Sequence, residues 1–397
     1  MKTYIAKIKQ LAVITGVAVS GIGVSGAVAP VNALTFNFTP AAGTSQQAIQ
    51  GFAAAGNLWS SLLTDNITVN IKIGFERLGG TMLGEANSSL QTFQYIDVYN
   101  GLNNDRRSLD DDAAVRSLPN SPAFKMLLNR TYNSPYGRGS ATAYVDSDGD
   151  LNNKRITLTT ANARAIGFTN NVPYDAEISF SNQHNWDFNR SNGINANTFD
   201  FVGIAAHEIG HALGFISGVD ILDYYSSTSN GGPYNDDEFI YVSPLDLFRY
   251  STESKNRGVI DWTADKRDKY FSLDKGATKI ASFATGEQFG DGREPSHWKD
   301  DLGLGIMDPT VARGEKLTIS QRDLRALDVI GWNRTGYNSS LRLQAASTVG
   351  KNSSNRIVDS DLNANNPTEV PEPANFISTL ILTAFGIKMV LKRRQKL

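Results

Sequence analysis

A chain of 397 residues, 40 % hydrophobic and only 20 % charged, can bury a sizeable core and does not have the composition of a disordered protein. Its formal net charge of −2 provides no surplus of lysine and arginine for a nucleic-acid or anionic-membrane surface, so neither is expected as a partner of the folded part. The absence of cysteine excludes disulfides, thiolate metal ligands and cysteine nucleophiles, and the chain has four histidines.

The first element is an address. Lys2, Lys7 and Lys9 precede a run of apolar and small residues from Leu11 to Val28, and Val31-Asn32-Ala33 places small residues where a signal peptidase reads. A signal peptide is predicted over 1–33, with a mature chain from Leu34. An uncleaved anchor is the alternative, and the glycine, alanine and serine content argues against it.

A helical stretch follows from about Ser45 to Leu63, and Ile67 to Ile73 alternates as a strand. Ile156-Thr157-Leu158 and Ala176 to Phe180 are further strand candidates. Ahead of them lies Asp146-Ser147-Asp148-Gly149-Asp150-Leu151-Asn152, which invites a calcium reading. Glycine at the fourth place and Thr157 at the twelfth exclude an EF-hand. A looser Ca²⁺ loop and a plain acidic turn before the next strand remain the two readings. The sum is one mixed α/β (α+β) domain over 34–336, without internal repeats.

The central motif is His207-Glu208-Ile209-Gly210-His211. Phe201, Ile204, Ala205, Ile209, Ala212 and Leu213 fall on one side of a predicted helix, with Thr198 or Asp200 as its cap and Gly214 as its terminator. On that helix the two histidines, four apart, project to one point. Glu208 sits beside them, able to reach a water there without crowding the metal. Zinc, a carboxylate base and a polarised carbonyl are the requirements of metal-assisted hydrolysis. An ordinary amphipathic helix with two satisfied histidines is the competing reading.

A hydrolytic zinc site keeps three protein ligands and one open position. His207, Glu208, His211 and Gly214 resemble the metzincin metallopeptidases, whose extended motif is HExxHxxGxxH, up to the last position, which here is Ser217. His297, in Glu294-Pro295-Ser296-His297-Trp298, is the candidate for the missing ligand. Gly305-Ile306-Met307-Asp308-Pro309 resembles the methionine turn of that clan. A long insertion, then a distant histidine and the turn, is the leishmanolysin-like arrangement. The resemblance implies one catalytic Zn²⁺ on His207, His211 and His297, with Glu208 as base and Met307 as the turn methionine. It also implies a twisted mixed sheet over the active-site helix and a C-terminal subdomain carrying the third histidine, the turn and a closing helix. Asp220 and Glu238 are the rival third ligands; Asn235-Asp236-Asp237-Glu238 reads as a solvated acidic loop. His184 is read as a surface or satisfied residue.

Thr318 and Gln321 have capping-box spacing, and Leu324, Leu327 and Ile330 before Gly331-Trp332 predict the closing helix. In a metzincin-like fold the strand Ala176–Phe180 is expected at the sheet edge, where extended peptide substrates add as a strand. An Asn/Ser-rich linker is predicted over 337–369. Val370-Pro371-Glu372-Pro373, the apolar stretch Ala374 to Leu391 and the basic tail Lys392, Arg393, Arg394 and Lys396 then resemble the PEP-CTERM sorting signal, over 370–397. That resemblance implies processing by an exosortase-type enzyme, a bacterial envelope or extracellular location, and membrane contact only through the terminal segments. The function expected is an exported zinc endopeptidase acting on proteins or peptides. A catalytically silent surface-binding protein of the same fold, or a zinc hydrolase of non-peptide amides, are the alternatives.

Overall fold

The structure, a computed structural model, describes residues 34–78 and 83–336. The signal peptide, the linker and the sorting segment read from the sequence lie outside them.

The chain forms a mixed α+β domain whose main sheet, among the described residues, has the strand order Thr35–Pro40, Thr68–Glu76, Ala176–Ser181, Gly84–Ser88. The first three run parallel; Gly84–Ser88 is antiparallel to Ala176–Ser181, with Ala86 opposite Ile178. Ala176–Ser181 is therefore an inner strand, and the expectation that it forms the edge is corrected. Its sequence explains why: Ala176, Ile178 and Phe180 are buried and backed by neighbours on both sides, whereas Gly84–Ser88 is mostly polar and half-buried, as an edge strand can be. Val69, Ile71 and Ile73 alternate into the core, as the sequence pattern predicts.

The helix Gln46–Ser60 begins where the Ser45 side chain accepts from the Ala48 amide and buries Ala48, Phe52, Ala55 and Trp59 at helical spacing. It packs against the second long apolar helix, Phe201–Ala212. Phe52, Phe180 and Phe201 meet there with ring centroids 5.0–5.2 Å apart. Gly51 permits this approach, since a Cβ on it would lie 2.4 Å from the Phe201 ring.

Arg155–Thr159 pairs with Leu90–Gln94 in a separate two-stranded sheet. Beyond the Phe201–Ala212 helix, Arg249–Tyr250, Lys269–Phe271 and Ala281–Phe283 form a small antiparallel sheet, extended by a bridge from Phe283 to Trp298. The closing helix is Gln321–Val329. Its cap is Ser320 with Asp323, not Thr318 with Gln321: Ser320 Oγ accepts from the Asp323 amide and the Asp323 carboxylate from the Ser320 amide. The capping-box spacing was present twice, two residues apart, and the tertiary acceptor work of Asp323 selects between them. Trp332 Nε1 then donates to the Leu213 carbonyl at 2.7 Å, tying the end of the domain to the end of the histidine helix.

Candidate metal centre

Asp200 caps the histidine helix, accepting from the Gly203 amide at 2.9 Å. The same buried carboxylate accepts from the Leu317 amide and pairs with Arg190 at 3.0 Å, so the start of the helix is fixed from outside it. At the far end Gly214 takes φ +110, a left-handed conformation that favours glycine, and the Gly214 and Phe215 amides bond back to His211 and Gly210. That reversal brings the Phe215 carbonyl under the His211 ring, where it accepts from Nδ1 at 2.7 Å.

His207 is held in the same manner by the Ile306 carbonyl, 2.7 Å from its Nδ1, and His297 by the Glu294 carbonyl at 3.3 Å. A carbonyl can only accept, so each Nδ1 carries the proton and each Nε2 presents its lone pair. The three Nε2 atoms form a triangle with sides of 3.1, 3.2 and 3.2 Å. Without a cation, three lone pairs pointed at one another at that range repel. Three nitrogens about 2.0–2.1 Å from one tetrahedral centre stand about 3.3–3.4 Å apart, so the donor set fits a zinc ion. His207 and His211 keep some solvent access, yet lie deep enough that desolvation lowers His207 to about 4 and His211 to about 3; His297 is lowered well below the ordinary range by the same cause. All three are neutral, as metal ligands must be. Glu208, beside His207 on the helix, is 7 % exposed.

His297 reaches the triangle because its segment is anchored on both sides. The Ala284 amide donates to its carbonyl at 3.0 Å, and Trp298 packs on Phe215 and Phe283 at 4.8 and 4.9 Å. Asp220 contributes too: its carboxylate accepts from the amide and hydroxyl of Ser296, while Ser296 Oγ accepts from the Ser217 amide. Asp220 is thus a brace behind His297, not a member of the donor group. Glu238 is exposed and caps Asn235, so it too lies outside the group. His184 sits edge-on to Trp186 and Phe199, away from the triangle.

The turn Gly305-Ile306-Met307 carries the carbonyl that orients His207, and a residue missed by the sequence reading organises it. The Asp323 carboxylate accepts from the Ile306 amide at 2.9 Å, the Met307 amide at 3.4 Å and Trp298 Nε1 at 2.8 Å. Gly305 must be glycine to let that carboxylate in, since a Cβ there would lie 2.2 Å from Asp323 Oδ2. Fully buried Met307 lies against Gly210 of the histidine helix, where an added Cβ would come within 2.5 Å of its Sδ. The Ser-x-x-Asp spacing at Ser320 was the one available sequence signal for Asp323.

Two carboxylate groupings also form, Asp146 with Asp148 and Asp236, and Asp150 with Asp236 and Asp237. Asp236 is 4 % exposed and accepts from Asn133 Nδ2 and the Tyr144 hydroxyl; Asn235, Asp237 and Glu238 are exposed, so the reading of a solvated acidic loop is corrected at Asp236 alone.

Comparison of the chain with known protein families, with curated proteins and with solved structures returned no match.

Proposed function

We propose that the chain is a zinc-dependent endopeptidase with a metzincin-like catalytic domain. The observation that carries this reading is the Nε2 triangle of His207, His211 and His297, each ring locked by a backbone carbonyl, with Glu208 one residue away on the same helix. Zinc held there supplies Lewis acidity toward a water molecule and a scissile carbonyl. Glu208 takes the proton of the attacking water and delivers it to the leaving nitrogen. The histidines take no part in proton transfer, since each Nδ1 proton is committed to a carbonyl. Met307 packs against Gly210 of the histidine helix, and Asp323, accepting from the Ile306 amide, keeps the Ile306 carbonyl on His207.

The edge strand available to an extended substrate beside the histidine helix is Gly84–Ser88, which among the described residues pairs only with Ala176–Ser181. Main-chain pairing along that strand binds peptides with little demand on side-chain identity, which favours proteins or peptides over small amides. With the signal peptide and the PEP-CTERM-like tail, the proposed location is the bacterial envelope or beyond, reached through signal peptidase and an exosortase-type enzyme.

The test is metal content and casein cleavage for wild type, Glu208→Ala and His297→Ala. One zinc and activity in wild type, zinc without activity in Glu208→Ala, and loss of metal in His297→Ala are expected. Wild type that holds zinc and cleaves no protein would overturn the peptidase reading in favour of a silent binding protein or a hydrolase of small amides.

A further inference from the structure

Five carboxylates converge from two parts of the chain about ninety residues apart. Asp146 ends the strand Tyr144–Asp146 and Asp148 and Asp150 follow it; Asp236 and Asp237 lie on the turn Asp236–Glu238. In each of the groupings Asp146/Asp148/Asp236 and Asp150/Asp236/Asp237 one carboxylate oxygen from each residue lies within 4.8 Å of the others. Oxygens on opposite sides of a calcium ion, bound at 2.3–2.6 Å, are about 5 Å apart, so either grouping suits a single ion. Among the described residues no lysine or arginine pairs with any of the five; burial and the repulsion of Asp148 and Asp236 push Asp146 up to about 7, and burial, a hydrogen bond shared with Asp237 and the neighbouring carboxylates push Asp150 up to about 7.

A further group lies at the cluster. Asn152 is fully buried; its Nδ2 donates to Asp146 Oδ2 at 2.9 Å, and its Oδ1 has no hydrogen-bond partner. The two atoms belong to one rigid carboxamide, so Oδ1 lies within about 5 Å of that carboxylate. A buried amide oxygen without a donor is costly, and a hard cation among carboxylates satisfies it.

We propose that Asp146, Asp148, Asp150, Asp236 and Asp237, with the amide oxygen of Asn152, form a calcium site. All ligands are oxygen and most are carboxylate, which suits Ca²⁺; Mg²⁺ binds through one or two carboxylates and retains its waters. No histidine takes part, so the site is independent of the zinc centre. Its consequence is mechanical. The segment downstream of Asp237 returns to the histidine helix, where Ser243 Oγ donates to the Ile216 carbonyl at 2.7 Å and the Asp246 carboxylate holds the Ser217 hydroxyl and the Gly218 amide. A cation fixing Asp236 to the Asp146 loop therefore steadies the chain leaving the metal helix.

The experiment is calorimetric titration of CaCl₂, and of MgCl₂ separately, into the purified full chain reloaded with zinc, with the thermal midpoint followed in parallel. Wild type should bind calcium saturably, and Tm should rise by about 3–6 °C at a hundred-fold excess over Kd. Asp148 is exposed, so Asp148→Asn should fold normally and weaken binding by about 10-fold, and Asp148→Asn/Asp150→Asn should abolish it. His297→Ala should bind calcium as wild type does. Absence of heat and of a Tm shift in wild type up to roughly 10 mM calcium would overturn the proposal. So would wild-type affinity in the double variant with native circular dichroism, and an equal response to magnesium would overturn the assignment to calcium.

Discussion

Asp323→Ala separates the turn that orients His207 from the histidine helix itself. The carboxylate accepts from the Ser320 amide at 2.6 Å, Trp298 Nε1 at 2.8 Å and the Ile306 amide at 2.9 Å, and it is 0 % exposed. Ser320 remains the helix cap, and losing the acceptor for its amide costs about 1 kcal/mol. The Trp298 and Ile306 donors left without an acceptor cost about 1–3 kcal/mol each, and the Met307 bond, longer at 3.4 Å, adds little. Removing a carboxylate that is itself desolvated offsets part of this, for a net of about 3–5 kcal/mol out of the 5–15 kcal/mol typical of a domain. The Ile306 carbonyl is displaced with its amide, so His207 loses its orienting partner and zinc affinity should fall by about 10- to 100-fold. Urea unfolding of the metal-free protein gives the first number, and competition with a chelator gives the second. Asp323→Asn keeps the volume and one acceptor, and should lose about half as much stability. Stability of Asp323→Ala within about 1 kcal/mol of wild type would refute the hydrogen-bond accounting. Destabilisation with zinc affinity unchanged would refute the link through Ile306.

Gly214→Ala forces a left-handed backbone on alanine and drives its Cβ to 2.9 Å from Asn162, so a loss of about 2 kcal/mol or more in urea unfolding is expected, with weaker zinc binding as the Phe215 carbonyl leaves His211. Asp220→Ala should still bind one zinc, with affinity lowered by about 10-fold, as measured by metal analysis and chelator competition; complete loss of zinc would make Asp220 a ligand instead of the brace behind Ser296. Protons compete with zinc for Nε2, and the folded pKa values of about 4 for His207 and about 3 for His211 lie below the unfolded value near 6.5. Competition therefore sets in only as pH falls toward 4, and zinc affinity should vary by less than about 3-fold between pH 7 and 5.5, against a steep fall for free imidazoles. Chelator competition across that range checks it.

The parts of this molecule that depend on neighbours along the chain were legible in its residues. The apolar spacing of Ala48, Phe52, Ala55 and Trp59 predicts one helix, and Asp200 with Phe201, Ile204, Ala205 and Ile209 predicts the other. The four-residue step from His207 to His211 needs only the helical repeat. With four histidines in the chain, His297 could be singled out as the third donor, and its Nε2 stands 3.2 Å from each of the other two. Other features depend on residues brought together from far along the chain. Ala176–Phe180 reads as a strand from its own pattern, but its inner place depends on Gly84–Ser88 pairing with its far side. Thr318 and Ser320 offer equivalent capping spacings, and Ser320 wins because Asp323 must also accept from Trp298 and Ile306. Asp236 looks like a solvated acid beside Asp237 and Glu238, and is buried because Asn133 and Tyr144 close over it. In each case a hydrogen bond or a strand ladder spans tens of residues, and its partner carries no periodic mark in the sequence. Periodicity specifies which face of an element is buried; only the folded chain decides what that face meets.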